Sequence, residues 1–280
     1  MPDPVTGQIA KWLWENKHDI RKALTGLYGW FRGKGRRDKR GILVIGPGGS
    51  GKTTLGLLLS GEYDWLTDSP WTYTESRRLE RYTLKDDKRV EVVVPPGQKH
   101  RREVYWADLQ AEIAAGKFRG VILMTAYGHH TLGELVSYKD HPLYSKNKDA
   151  FLGAYLEEHR HEELRILRQI VPYLEVCQQR FWLLTLVAKQ DLWWGDHPAV
   201  ERHYRDGEYG EQIRKLAAAK DTRVFRHELV LASLVISNFG TDRQETLKKN
   251  TEGYDQRMQV ESIRRLMETM AALKDWETGA

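Results

Sequence analysis

The sequence predicts an α/β fold: a three-layer, mostly parallel sheet with helices on both faces and one antiparallel hairpin at its edge. Three observations support this prediction. Short apolar runs alternate with segments of helical period, which is typical of strands joined by crossover helices. One apolar run, residues 42–45, leads directly into a glycine-rich loop and then a helical segment. Two strand-like runs, 79–84 and 89–94, flank the polar stretch 85–88 and indicate a hairpin.

The chain divides near residue 40. Residues 1–40 combine an amphipathic helix, predicted at 8–31, with the basic stretch 32–40, which we interpret as a linker rather than a contact with anionic lipid or nucleic acid. Residues 41–280 are predicted to form one domain that contains the glycine-rich loop. The sequence contains no apolar run long enough for a membrane span and no signal-peptide pattern. A single cysteine, Cys177, excludes an intrachain disulfide, so we expect a cytoplasmic protein, at most peripheral to a membrane.

The glycine-rich loop reads G-P-G-G-S-G-K-T-T and matches the P-loop pattern G-x-x-x-x-G-K-[ST]. Glycines allow backbone amides to turn toward a phosphate, and the following helix presents its positive dipole end to the same oxygens. The lysine would reach the β- and γ-phosphates, and the threonine after it would ligate Mg²⁺. The residues of this predicted phosphate site are Gly46, Pro47, Gly48, Gly49, Ser50, Gly51, Lys52, Thr53 and Thr54.

The order of parts after this loop resembles the Ras-like small GTPase superfamily, over roughly residues 40–276. An irregular segment, a hairpin and a Pro-Gly-Gln corner come first. Alternating helices and strands follow, and two of these strands end in Lys-x-Asp and Ser-Asn. The resemblance is divergent and assigns no narrower family. It implies a domain that binds GTP or GDP with Mg²⁺ and switches between two states.

Ala188, Lys189 and Asp191 lie in the sequence Ala-Lys-Gln-Asp, which resembles the guanine-reading N/T-K-x-D box. A carboxylate at position 191 would accept hydrogen bonds from the N1–H and the 2-amino group of guanine, and adenine offers neither donor there. The resemblance implies that Lys189 lays its aliphatic stem along the base. Ala188 departs from the usual Asn or Thr, which predicts a reduced guanine affinity.

Two other motifs match the family in part. Gly97 and Gln98 match the end of D-x-x-G followed by Gln, while Val94 occupies the position of the acid. The resemblance implies that the Gly97 amide contacts the γ-phosphate and that Gln98 orients the attacking water. Without the acid, hydrolysis is expected to be slow. Ser237 and Asn238 follow the last predicted strand and resemble the Ser-Ala-Lys box that contacts the base through backbone amides.

Side chains that resemble metal ligands fall into two groups. Thr72 and Thr74 lie where the family's switch threonine binds Mg²⁺, and spacing does not choose between them. His159 and His161 are two residues apart on a predicted helix and so point to different sides, which indicates a solvated helix face. The pair at 129–130 follows a strand with no Cys or Asp nearby, and we predict no zinc site there.

Three functions remain open. The leading hypothesis is a guanine-nucleotide switch that hydrolyses GTP slowly to GDP and phosphate, with Lys52 and Gln98 as catalytic residues. A protein partner would bind through helix 8–31 or through the switch segment 67–78. The second hypothesis is a pseudo-GTPase scaffold that keeps nucleotide without turnover. The third is an ATP-dependent ATPase or kinase-like enzyme in which Asp191 acts as a Walker-B acid.

Overall fold

The computed structural model describes residues 40–62, 78–85, 88, 90–97, 99–132, 135, 137–145, 147–241 and 245–279. Several of the expectations above therefore fall outside the described residues and stay predictions. They concern the helix at 8–31, almost all of the basic stretch, the switch threonines Thr72 and Thr74, and the proposed water-orienting Gln98.

Within these ranges the chain forms eight strands and seven α-helices. The strands are β1 Gly41–Ile45, β2 Glu80–Thr83, β3 Glu91–Val94, β4 Phe118–Thr125, β5 Phe181–Val187, β6 Phe225–Leu231, β7 Phe239–Gly240 and β8 Thr246–Lys248. The helices are α1 Lys52–Ser60, α2 Lys99–Ala114, α3 Lys148–Val176, α4 Gln190–Trp193, α5 His197–Arg205, α6 Glu208–Ala218 and α7 Gln256–Thr278. None of the described helices combines the length and the apolarity needed to cross a membrane.

The main sheet has six strands in the order β2-β3-β1-β4-β5-β6. All neighbouring strands are parallel except β2 and β3, which form the antiparallel edge hairpin. The predicted fold class is therefore confirmed. In the hairpin, Glu80 lies directly opposite Val94, so their side chains share one face of the sheet.

The sheet separates two apolar cores, and β1 shows why three layers form. Its residues alternate between the cores: Ile42 and Val44 face one, and Leu43 and Ile45 face the other. Since side chains along a strand point alternately to opposite faces, an entirely apolar strand requires cover on both sides. Apolar residues of α1 and α7 cover the first face, and those of α2, α3 and α6 cover the second.

The last strand of the main sheet differs from the prediction. The apolar run 229–236 predicted a strand there, whereas β6 runs from Phe225 to Leu231. Its middle residues are partly exposed and include Arg226 and Glu228, which pair with each other, so apolarity alone did not mark the strand. Residues after Leu231 are buried because they fold under α7, where the Ser233 amide donates to the Ser262 hydroxyl at 3.1 Å.

Two further features differ from what the sequence pattern predicts. Pro172 predicts a kink or a restart of the long helix; α3 does not restart but continues through Pro172 to Val176. Proline removes one backbone donor, which frees the carbonyl four residues earlier, and both positions are exposed here so that water can satisfy it. The loop predicted over 127–150 contains the 3₁₀ turn Tyr138–Asp140, and it packs through a small apolar cluster onto α3 and the β7–β8 ribbon.

Candidate nucleotide-binding site

The phosphate loop, residues 46–51, connects the end of β1 to the start of α1. Gly49 and Gly51 have φ values of 67° and 99°, a region that glycine adopts without steric cost. Gly51 is the N-cap residue of α1 and provides no side-chain cap. The first-turn amides of the helix, together with its dipole, therefore face the loop, as an anion site requires.

The Lys52 ammonium lies over this loop. Its Nζ donates to the Pro47 carbonyl at 2.7 Å, and the Ser50 hydroxyl donates to the same carbonyl at 3.0 Å. Both side chains are buried. A buried ammonium beside backbone amides gives the loop a concentrated positive charge, and the oxygens of a phosphate are acceptors suited to it.

Gly97 lies against the phosphate loop. A Cβ atom built at Gly97 would come within 2.4 Å of Lys52 Nζ and 2.6 Å of the Gly48 backbone. Any larger residue would therefore press on the loop itself. The corner after β3 and the phosphate loop are in direct contact, so a movement of either one is transmitted to the other.

Thr53, the predicted Mg²⁺ ligand, faces a carboxylate that the sequence did not reveal. Its hydroxyl donates to Glu80 Oε2 at 3.0 Å, and the Tyr82 hydroxyl donates to the same oxygen at 2.8 Å. Burial and the adjacent Glu80 raise the pKa of Tyr82, so its hydroxyl stays protonated as a donor. Glu80 is paired with Val94, the residue at the position of the missing acid. Strand β2, which neighbours β3, thus places a carboxylate beside Thr53. The predicted pairing of the two hairpin strands is the sequence feature that could have identified Glu80.

Lys189 and Asp191 follow β5 at the same carboxyl edge. Lys189 adopts φ 58°, a left-handed conformation that costs a non-glycine residue roughly 1 kcal/mol or more. Its Nζ donates to the His129 carbonyl at 2.6 Å. Burial lowers the pKa of Lys189 to about 8, although Asp191 nearby opposes the shift. Burial also raises the pKa of Asp191, which is 1% exposed.

The Asp191 carboxylate is held at both oxygens. The Ser233 hydroxyl donates a short hydrogen bond to Oδ1, and the Ser237 amide donates to Oδ2 at 3.1 Å. The serine that follows β6 most closely and contacts Asp191 through its side chain is Ser233 and not Ser237, because β6 ends earlier than predicted. Ser237 does come to the Lys-x-Asp box, where its amide contacts Asp191. The Asn238 side chain instead accepts from the Asn250 amide at 3.1 Å.

The phosphate loop and the Lys-x-Asp box lie on one continuous edge. Residues 129–131, which follow β4, connect them. The His129 carbonyl holds Lys189, and a Cβ at Gly49 would come within 2.3 Å of the Thr131 side chain. β1, β4 and β5 are adjacent and parallel, so their carboxyl ends meet at this edge. This is where open α/β sheets bind ligands.

The strand order and the P-loop after β1 give this chain a six-stranded, mostly parallel α/β sheet with the phosphate loop at its carboxyl edge. The sequence matches no protein-family model and no curated protein. Among solved structures it is similar to the signal recognition particle receptor SRb-GDP of Chaetomium thermophilum, with 13% identity over 83% of this chain and 96% of that chain and a TM-score of 0.40. The mammalian SRP receptor gives 14% identity, 84% and 100% coverage and a TM-score of 0.41. An ADP-ribosylation-factor-like or Sar1 protein of Encephalitozoon cuniculi, in complex with GDP, has 12% identity over 98% of this chain and 100% of that chain, with a TM-score of 0.37.

Proposed function

We propose that this protein binds guanine nucleotide with Mg²⁺ at the carboxyl edge of its sheet and switches state according to the γ-phosphate. The observation that carries the proposal is the convergence of three parts on that edge: the phosphate loop, the Gly97 corner against it, and the buried Asp191 carboxylate. Each part has a separate chemical task, and the three tasks together are those of a nucleotide switch.

The phosphate end supports sensitivity to the γ-phosphate. Lys52 Nζ lies near the backbone of Gly97. A γ-phosphate bound to Lys52 would therefore sit next to the corner after β3 and take the Gly97 amide as a donor. Loss of that phosphate would release the corner, and with it the predicted switch segment 67–78, which is an order-to-disorder type of transition.

Thr53 and Glu80 fit Mg²⁺, because the ion prefers hydroxyl and carboxylate oxygens and keeps several of its waters. In this proposal Glu80 substitutes for the acid that Val94 lacks, and Thr72 or Thr74 remains a predicted further ligand. Bound Mg²⁺ would neutralise negative charge on the β- and γ-phosphates. We propose slow hydrolysis of GTP to GDP and phosphate, with Lys52 stabilising charge and Gln98 orienting the water.

The part of the site around Asp191 supports a preference for a guanine base. A carboxylate offers about four lone-pair positions, and two of those on Asp191 are taken by Ser233 and Ser237. The remaining two match the two donors on the guanine edge. Because protein contacts fix the carboxylate before the base arrives, little entropy would be lost when the base binds.

The position of Asp191 argues against the ATPase hypothesis. A Walker-B acid acts beside the metal, next to the P-loop threonine. Here Thr53 contacts Glu80 on β2, whereas Asp191 follows β5, on the other side of β1 in the sheet. The scaffold hypothesis is the second candidate, and it is favoured by Val94, which is fully buried in the apolar core.

Titration calorimetry with GDP, GTP, ADP and ATP, each with Mg²⁺ and with a chelator, tests the proposal. We expect guanine nucleotides to bind at least about 100-fold more tightly than adenine nucleotides, since two buried acceptors are left unpaired by adenine. Equal affinity for ATP, or no binding of GTP, would refute it. Phosphate release from GTP, followed for hours, then separates the slow hydrolase from the scaffold.

The variant Glu80→Gln tests the metal site. We expect it to reduce the Mg²⁺ dependence of GTP affinity by roughly tenfold, because the charge-assisted contact is lost. Glu91→Gln is the matched control: this residue lies on the adjacent strand β3, is exposed, and pairs with Arg81 away from the loop. If both variants behave like the wild type, Glu80 has no part in metal binding.

The proposal also places the protein in the cytoplasm. Its single cysteine, Cys177, is a free, buried thiol. A protein partner would engage the segments at 8–31 or 67–78, because those segments are expected to respond to the nucleotide.

A further inference from the structure

A second cluster of ligand-type side chains lies on the far side of the segment that connects the two halves of the nucleotide site. His130 comes from the segment after β4, while His159 and Glu162 come from α3. One ligand atom from each lies within 4.8 Å of the others. His159 and Glu162 are three residues apart on the helix and so share a face. Residues near 129–130 in the sequence predict no zinc site there, because His159 and Glu162 reach His130 only through the packing of α3.

His130 has one ring nitrogen bound and the other without a partner. Its Nε2 is 2.8 Å from Glu163 Oε1. The Glu163 side chain also accepts from the Tyr204 hydroxyl and the Ala126 amide. A carboxylate oxygen surrounded by such donors acts as the acceptor, so Nε2–H of His130 is the donor. With the hydrogen on Nε2, the lone pair lies on Nδ1, which is buried without a hydrogen-bond partner among the described residues.

The orphaned nitrogen faces the other two ligands. His130 Nδ1 is 4.0 Å from Glu162 Oε2, which is too long for a hydrogen bond but short enough for an ion to lie between them. The His130 and His159 rings pack edge to face, with centroids 4.9 Å apart. Burying a polar nitrogen without a partner costs roughly 1–3 kcal/mol, so an unpaired Nδ1 in this position indicates a missing binding partner.

His159 is oriented in the same way as His130, through a different partner. Its Nδ1 is 2.8 Å from the Tyr155 carbonyl, and a carbonyl can only accept, so Nδ1 carries the hydrogen. The lone pair is then on Nε2. The ring is also stacked on Tyr155, with centroids 3.9 Å apart.

We propose that His130, His159 and Glu162 bind a zinc ion, with the fourth position left to water. Two imidazoles and one carboxylate are a typical donor set for zinc sites with three protein ligands. Ligating histidines generally donate their other N–H to a carboxylate or a carbonyl, and both histidines do so here.

The dimensions of the cluster are close to those required. Bonds of about 2.0–2.1 Å to zinc place the ligand atoms of a tetrahedral site roughly 3.3 Å apart. The observed separations of up to 4.8 Å therefore need a contraction. Glu162 is only partly buried, with a side-chain exposure of 23%, so rotation of its side chain can supply the part of that contraction between Glu162 and the histidines.

A zinc ion here would tie residues 129–131 to α3. That segment carries the carbonyl that holds Lys189 and the threonine that contacts Gly49. The metal site does not depend on the proposed nucleotide function, but zinc would rigidify the connection between the phosphate loop and the base-reading box.

The test is zinc titration of tag-free, full-length protein stripped with a chelator, read by calorimetry and by competition with a chromophoric chelator. We expect one equivalent to bind the wild type. Glu162→Gln should weaken binding by more than the roughly 10–100-fold that a lost second-shell partner costs. His161→Gln is the matched control, because His161 is exposed on the same helix two residues from His159. It should bind zinc within about twofold of the wild type, since surface changes of this kind are nearly neutral.

A spectroscopic arm uses Co²⁺ in place of zinc. Wild type and His161→Gln should show the visible absorption of four-coordinate Co²⁺, and Glu162→Gln should lose it. Thermal unfolding is then measured with and without zinc. The metal should raise the Tm of the wild type by mass action and leave the Tm of Glu162→Gln unchanged. Absence of zinc binding by the folded wild type at micromolar concentration, or equal binding by Glu162→Gln and His161→Gln, would overturn the proposal.

Discussion

Asp191→Asn is the change that tests the base-reading box most directly. In the wild type, Ser233 and Ser237 each donate to one carboxylate oxygen, and two lone-pair positions remain for the base. The asparagine oxygen would turn to the Ser237 amide, because its NH₂ group cannot face that donor. The NH₂ group would then face the Ser233 oxygen, which can accept, and one N–H would point toward the base.

The magnitude follows from this arrangement. Guanine loses one hydrogen bond to a charged acceptor, worth about 1.5–3 kcal/mol, and meets a donor in its place. We expect a total loss of about 2–4 kcal/mol, which is roughly 30–1000-fold in affinity. Xanthine carries a carbonyl where guanine carries its amino group, and it accepts from the new N–H. Xanthosine diphosphate should therefore bind the variant more tightly than it binds the wild type.

Calorimetric titration of both proteins with GDP and xanthosine diphosphate measures the two changes. Asp196→Asn is the matched control, because Asp196 lies five residues away with an exposed side chain and a single long contact to Lys248. It should bind both nucleotides like the wild type. If Asp191→Asn keeps wild-type GDP affinity and gains nothing for the xanthine nucleotide, the carboxylate does not contact the base.

Three further changes test the site and the fold. Gly97→Ala puts a Cβ within 2.4 Å of Lys52 Nζ, so stopped-flow binding should show a larger loss of affinity for GTP than for GDP. Glu277→Ala removes the buried carboxylate that pairs with Arg119 at 2.7 Å and with Arg40 at 3.0 Å, and urea unfolding should show a loss of about 3–5 kcal/mol in the free energy of unfolding. Glu277→Leu with Arg119→Met should recover part of this loss, because the contact with Arg40 is still removed. Burial lowers the pKa of His227 to about 4, below an unfolded value near 6.5. Between these pH values the unfolded state binds more protons, so the free energy of unfolding falls as the pH drops through that window. His227→Gln should make this fall shallower by up to about 1.4 kcal/mol per pH unit in urea titrations; an unchanged slope would contradict the shift.

The elements that sequence reasoning placed correctly are those marked by local patterns. β1, the phosphate loop and α1 combine an apolar run, a glycine-rich loop and a helical period within twenty residues. β4 and β5 are buried throughout and mostly apolar, because helices cover both of their faces. β6 was misplaced because it lies at the sheet edge, where polar residues such as Arg226 are tolerated.

The candidate site divides in the same way. Lys52 and Asp191 were found from motifs with fixed spacing. Glu80 and Ser233 were missed, since neither belongs to a motif and each matters only through a partner 27 or 42 residues away. The strand order decides which of these distant segments meet.

The sequence by itself determined that this protein has an α/β sheet with a phosphate loop after its first strand, because glycine spacing and apolar alternation act over a few residues. Only the tertiary structure decided that Glu80 lies opposite Val94, and that His130 meets His159 and Glu162. The physical reason is that cross-strand pairing and helix docking depend on the packing of the whole core. The chemistry of a side chain is local, but its neighbours are set by contacts that span the chain.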